Sequence, residues 1–152
     1  MNGIPAFAGK LERFLANLVD SLATMLLPAA VLAVLHLGMN SPLGLIITFA
    51  ANAVYFTAFT AGPWQATPGQ RLFGMVVARL DGRLLGRREA LERFLAYYIP
   101  SLPMYLSDMD QNLLAKIALW LVIVWFSPIL WRADRRGVHD LLCGTIVVTG
   151  KR

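Results

Sequence analysis

Apolar residues run from Phe14 to Leu37 almost without break, and the exceptions recur on one helical face. Asn17, Asp20, Thr24 and Pro28 continue from Arg13 at spacings of four, three, four and four, the spacing of one polar stripe on a helix. A second apolar run, from about Leu43 to Ala61, holds no charge and places Thr48, Asn52 and Tyr55 on one face. A third runs from about Ala90 to Leu106 and a fourth from Leu113 to Trp131. The pattern predicts an all-α membrane protein of four transmembrane helices, 14–37, 43–61, 90–106 and 113–131, as one domain over residues 1–152. Asp20 sits roughly 10 Å inside Arg13 at a helical rise of about 1.5 Å per residue. A carboxylate at that depth costs about 2.5–3.5 kcal/mol on insertion scales, so it must find partners on neighbouring helices, and the Asn52–Tyr55 face is the expected one.

Between the second and third spans the pattern changes. GPWQATPGQR breaks helix, and Met75–Leu80 and Arg83–Leu85 then flank Asp81-Gly82, which predicts a small β-hairpin with both turn residues at positive φ. Thr145 to Thr149 reads as a third strand. Ile4, Phe7, Leu11 and Phe14 would form the apolar face of an interfacial helix before the first span, and 107–112 an acidic loop. The third span carries Glu92 and Arg93 in its first turn and is interrupted by Pro100 and Pro103, which requires neighbours to satisfy the freed carbonyls.

Composition agrees: 57% of the 152 residues are hydrophobic, 15% charged, and the mean hydropathy is +0.59. The net charge of +5 does not point to nucleic acid, because eight of the fourteen basic residues lie between Arg71 and Arg93 or at the chain end, beside apolar spans. Arg83, Arg87, Arg88 and Arg93 are candidate contacts for anionic lipid headgroups, or mark topology alone. Four spans with both termini in the cytoplasm put every basic segment on the same side. Cys143 is the single cysteine, and His36 and His139 lie far apart, so neither a disulfide nor a metal site is expected and no cofactor is called for. The N-terminal run is too long for a signal peptide and contains Asp20, which predicts an uncleaved anchor.

Asp20 reads either as an ion-binding or proton-relay carboxylate, or as a carboxylate locked by Arg, Asn, Thr or Tyr groups to fix helix packing. Side chains on a helix lean toward its N-terminus, so Arg13 points away from Asp20 and is expected to meet lipid phosphate or Asp140 of a tail folded back beneath the membrane. Asp140 is expected to anchor or cap the RRGVHDLLCG segment. His139 beside it forms no catalytic arrangement with a recognisable nucleophile, and TPGQRLFG lacks the Lys-Ser/Thr of a phosphate loop. No enzyme is expected.

Three ordered segments, LERFLANLVDSL, TPGQRLFGMVVARLDG and RADRRGVHDLLCGTIVV, resemble the RDD family of small prokaryotic membrane proteins. The family is named for an arginine entering the first helix, an aspartate within it and a second aspartate, which map onto Arg13, Asp20 and Asp140. The resemblance implies an inner-membrane protein, with transport, and ion antiport in some members, as the associated activity. The expected function is transport of a small cation or proton through a polar interface of Arg13, Asn17, Asp20, Thr24, Asn52 and Tyr55, with Arg13 and Asp140 as a cytoplasmic gate. The other expectation is a membrane scaffold or regulator that binds a partner membrane protein. Four helices are few for a transporter, so a homo-oligomer is expected.

Overall fold

The computed structural model describes residues 6–105 and 110–150; Ile4, the tail bases Lys151 and Arg152, and 107–109 of the acidic loop lie outside the described residues. In chain order the elements are α1 Lys10–Val34, α2 Pro42–Thr60, α3 Pro68–Leu72, β1 Met75–Arg79, α4 Arg87–Tyr98, a 3₁₀ segment Ile99–Tyr105, α5 Gln111–Phe126, α6 Pro128–Trp131, α7 Val138–Leu142 and β2 Thr145–Thr149. Three helical stretches are long and apolar enough to cross a membrane: Lys10–Val34, Pro42–Thr60 and Asn112–Trp131. Their outward faces are apolar, with Leu22, Leu26, Ile46, Val54 and Trp120 all more than half exposed, while Asp20 and Asp140 are buried. That distribution suits a hydrocarbon solvent and would be costly in water.

The stretch predicted as a span over 90–106 is not among the three helices long and apolar enough to cross; it is a twelve-residue α-helix continued by 3₁₀ turns. Pro100 has no N–H to give the Ala96 carbonyl, so the α-helical ladder fails there, and Pro103 lies within the 3₁₀ segment that follows. Trp125 Nε1 donates to Ala96 O at 3.0 Å and satisfies the freed group. At rises of about 1.5 and 2.0 Å per residue the composite extends roughly 32 Å.

β1 is joined to the 83–85 segment by Arg79 N–H to Arg83 O (3.1 Å) at the turn, but that segment does not continue as a hairpin strand. β1 pairs antiparallel with β2, Val77 opposite Val147, and residues 6–8 lie along the other edge of β2 through Ala8 N–H to Val147 O (3.1 Å) and a Phe7–Val148 bridge. Phe7 therefore belongs to an extended segment rather than an interfacial helix, and Leu11 already lies in α1. The Asp81-Gly82 turn forms, but with only Gly82 at positive φ (80°). Leu85 is held away from β1 by Gln65, whose side chain accepts from Leu85 N–H (2.7 Å) and donates to Leu85 O (3.2 Å). Gln65 O in turn accepts from Val77 N–H at 2.7 Å, so part of the free edge of β1 is covered.

The chain consists of two similar halves. Each has two long helical segments, then a five-residue helix, a glycine at positive φ (Gly74, 65°; Gly144, 62°) and a five-residue strand. The second short unit lies 70 residues after the first, which maps Val77 onto its own partner Val147 and puts a two-fold relation between the strands. Ala8, Ala16, Met75, Val77, Leu85 and Val147 pack where the sheet meets α1.

Candidate functional site

Asp20, on the buried face of α1, is where the first half closes on itself. α3 is started by a capping box: Thr67 Oγ1 accepts from Gln70 N–H (3.3 Å), and Gln70 Oε1 accepts from Thr67 N–H (3.0 Å). The start of this short helix is turned toward α1, so Thr67 Oγ1 donates to Asp20 Oδ2 at 2.5 Å and Gly69 N–H donates to Oδ1 at 2.9 Å. Tyr55 Oη from α2 donates to the same Oδ1 at 2.8 Å. The carboxylate thus joins three elements. Gly69 is required for the approach, because a Cβ there would stand 2.3 Å from Ala16 O and 2.8 Å from Asp20 Cγ.

Asp140 closes the second half. Arg93 of α4 donates to its Oδ1 from Nη2 (2.8 Å) and Nε (3.2 Å), Thr145 Oγ1 donates to the same oxygen (3.0 Å), and Arg13 Nη1 reaches Oδ2 at 3.3 Å. Arg13 Nη2 also donates to Val147 O, and Arg136 donates to the backbone carbonyls of Asp140 and Thr145. Burial would push the Asp140 carboxyl up, but the facing His139, Arg93 and Arg13 outweigh it and hold it below the usual carboxylate range. His139 is itself pushed down to about 4 by burial, helped by Arg93 and Arg13 and opposed by Asp140, so at neutral pH the two guanidinium groups supply the charge. The neutral imidazole packs against Tyr97 and Phe126.

Two cavities meet this framework. The larger, 510 Å³, is lined by Asn17, Asp20, Ser21 and Thr24 of α1, by Tyr97, Tyr98 and Ser101, by Val122 and Phe126 of α5, and by Asn40 in the loop between α1 and α2. The helical rise carries that loop roughly 37 Å from the start of α1, so the cavity reaches the end opposite the sheet. A smaller cavity of 30 Å³, room for about one water, is lined by Arg13, Asn17, Arg93 and His139 and shares Asn17, Phe56, Tyr97 and Phe126 with the first. Arg13 Nε and His139 Nδ1 are buried without a hydrogen-bond partner among the described residues, and both residues line this cavity. Among the described residues no three His, Cys, Asp or Glu side chains gather to hold a metal ion.

Of the residues singled out in the sequence, Tyr55 reaches Asp20, Arg13 reaches Asp140, and Asn17 and Thr24 line the large cavity. Thr24 Oγ1 bonds back to the Asp20 carbonyl (2.9 Å) and not to its carboxylate. Asn52 lies outside that lining and donates to Tyr98 Oη at 2.5 Å. The arginine cluster divides: Arg83 pairs with Asp81, Arg88 with Glu92, and Arg93 with Asp140, so Arg93 is a buried structural cation and not a lipid contact. Thr67, Gly69 and Thr145 were missed. The Thr-Pro-Gly-Gln sequence at 67–70 carries the signal for a helix start, though not for what that helix start faces.

Compared with known proteins, residues 7–144 match the RDD family. An "Uncharacterized protein YxaI" of Bacillus subtilis (strain 168) is 21% identical over 104 residues, 68% of this chain and 56% of that protein's length. No solved structure matches.

Proposed function

Since the chain belongs to the RDD family and its long helices are apolar outward and polar inward, we propose that it carries a small cation or proton across the prokaryotic inner membrane. Asp20 is the site, and the Arg13–Asp140–Arg93 cluster is the closed cytoplasmic gate. The carrying observation is the 510 Å³ cavity between the two halves of the chain, with Asp20 in its wall and no basic side chain among the described residues that line it. Sites at the interface of repeats near the bilayer midplane are a recurring transporter plan. Beside the large cavity, and sharing Asn17, Phe56, Tyr97 and Phe126 with it, the 30 Å³ cavity lies against two guanidinium groups, which would be a barrier to a cation while the ion pairs hold.

The reading includes four crossings, with α4 and its 3₁₀ continuation as the third. Residues 6–8, β1 and β2 are hydrogen-bonded to one another, so they share one side of the membrane. An even number of crossings must therefore separate β1 from β2. If α5 is one of them, the roughly 32 Å composite before it is the other. Arg71, Arg79, Arg83, Arg87, Arg88, Arg132, Arg135 and Arg136 lie in the segments next to the sheet, which supports a cytoplasmic side there, with both termini on it. A homo-oligomer is the proposed working unit.

The test is flux of Na⁺, K⁺ or protons in sealed proteoliposomes. Asp20→Asn should abolish flux; Asn17→Leu, at a residue that lines both cavities and makes none of the bonds to Asp20, should reduce it. A folded wild-type protein with no flux under any gradient refutes transport. That result would favour the second reading, a membrane scaffold that binds a partner membrane protein, to which one observation already speaks: both Asp20 oxygens are engaged by Tyr55, Thr67 and Gly69.

A further inference from the structure

The last turns of α2 and the first turn of α4 border a 720 Å³ groove lined by Ala53, Val54, Thr57, Ala58, Ala61, Gly62 and Pro63 on one side and by Leu91 and Arg87 on the other. Its floor of small residues lies on one of the three membrane-length helices, at the end nearer the sheet, and is apolar but for Thr57. Arg87 is exposed and makes no ion pair or hydrogen bond among the described residues, whereas the neighbouring Arg83 and Arg88 are paired with Asp81 and Glu92.

The two-fold relation of the halves gives a second observation. Arg87 is the first residue of α4, as Lys10 is the first residue of α1. Lys10 Nζ donates to Leu130 O, a carbonyl in the last turn before the tail, at 2.6 Å. In one half, then, the cation that opens the helix is satisfied by an oxygen of the preceding membrane helix's counterpart. In the other half the groove stands where that oxygen would come from.

We propose that this groove binds one anionic phospholipid, its phosphate on Arg87 and an acyl chain along Ala53–Ala61. The site is separate from the Asp20 cavity and does not depend on transport. An acyl chain fits a shallow apolar trough opening on hydrocarbon, and a guanidinium at the headgroup end selects an acidic lipid over a zwitterionic one.

The experiment is native mass spectrometry of the full chain released from nanodiscs of phosphatidylglycerol and phosphatidylcholine, counting retained lipid for wild type, Arg87→Gln, Ala58→Phe and Arg88→Gln. Expected is one retained phosphatidylglycerol on wild type and on Arg88→Gln, about fivefold less on Arg87→Gln, and loss on Ala58→Phe, which fills the trough. Unchanged melting temperature in Arg87→Gln establishes that the fold is intact, as the exposure of Arg87 requires. Equal retention by Arg87→Gln and wild type overturns the site. So does an equal loss in Arg88→Gln, which would mean a diffuse basic surface, or displacement of the lipid by millimolar inorganic phosphate, which would mean a free-anion site.

Discussion

Gly69→Ala tests the Asp20 clamp most directly. The added Cβ would lie 2.3 Å from Ala16 O, where an ordinary C···O contact needs about 3.3 Å. Ala16 O is α1 backbone, so α3 must retreat by roughly 1 Å. A retreat of that size takes Gly69 N–H out of hydrogen-bond range of Asp20 and stretches the Thr67 contact, which starts at 2.5 Å. Hydrogen bonds to a charged group contribute about 1.5–3 kcal/mol each, so the pair is worth about 3–6 kcal/mol. The control is Gly74→Ala, where φ is +65° and a Cβ meets nothing within 4 Å; its cost is the left-handed backbone alone, about 1–2 kcal/mol. Thermal unfolding in detergent, followed by circular dichroism, should place Gly69→Ala roughly 10 °C below wild type and Gly74→Ala a few degrees below. If Gly69→Ala melts no lower than Gly74→Ala, the close approach of α3 to Asp20 is not holding the bundle, and the clamp is refuted.

Arg93→Met should cost about 3–5 kcal/mol, because it leaves the fully buried Asp140 with Arg13 as its one guanidinium partner; Arg88→Met, on an exposed pair, should stay within about 0.5 kcal/mol in the same denaturation series. His139 titrates at about 4 in the folded protein against 6.5 for the free side chain, so below 6.5 the unfolded chain binds the extra proton. Stability is therefore full above pH 6.5 and falls by about 3 kcal/mol as pH drops toward 4. His139→Gln should flatten that part of the profile, measured as melting temperature against pH, while the Asp140 contribution, from a carboxyl held low, is lost only at more acidic pH in both proteins.

Apolar length made α1, α2 and α5 legible from the sequence, because crossing hydrocarbon demands a run that nothing else explains. In the third segment the sequence showed the interruption at Pro100 and Pro103, but read Arg93 only as a charge at a helix entrance. Its partner Asp140 lies 47 residues away, and no local pattern carries that distance. The hairpin failed for the same reason: Asp81-Gly82 is a correct local turn signal, but β1 takes a strand from the far end of the chain. The expense of Asp20 was plain in the sequence and one partner, Tyr55, was found by helix-face spacing. Thr67 and Gly69 were not, since they sit in a stretch rich in Pro and Gly that reads as mere loop until α3 is seen turned toward α1.

The pairing of β1 with β2 imposes an order on biogenesis. Arg79 leaves the ribosome 66 residues before Thr145, its partner, an interval of roughly 3–13 s at ordinary synthesis rates. Through that interval Arg93 has no Asp140, and β1 waits with one edge unpaired. In the four-crossing arrangement β2 can reach that edge only if every intervening segment has threaded. A chain in which α4 or α5 failed to insert would deliver β2 to the wrong face of the membrane, with its arginines and Asp140 stranded from each other. Were α4 and α5 both to cross, closure of the five-residue ladder would require both to have inserted, and a chain that failed to do so would keep an open strand edge at β1.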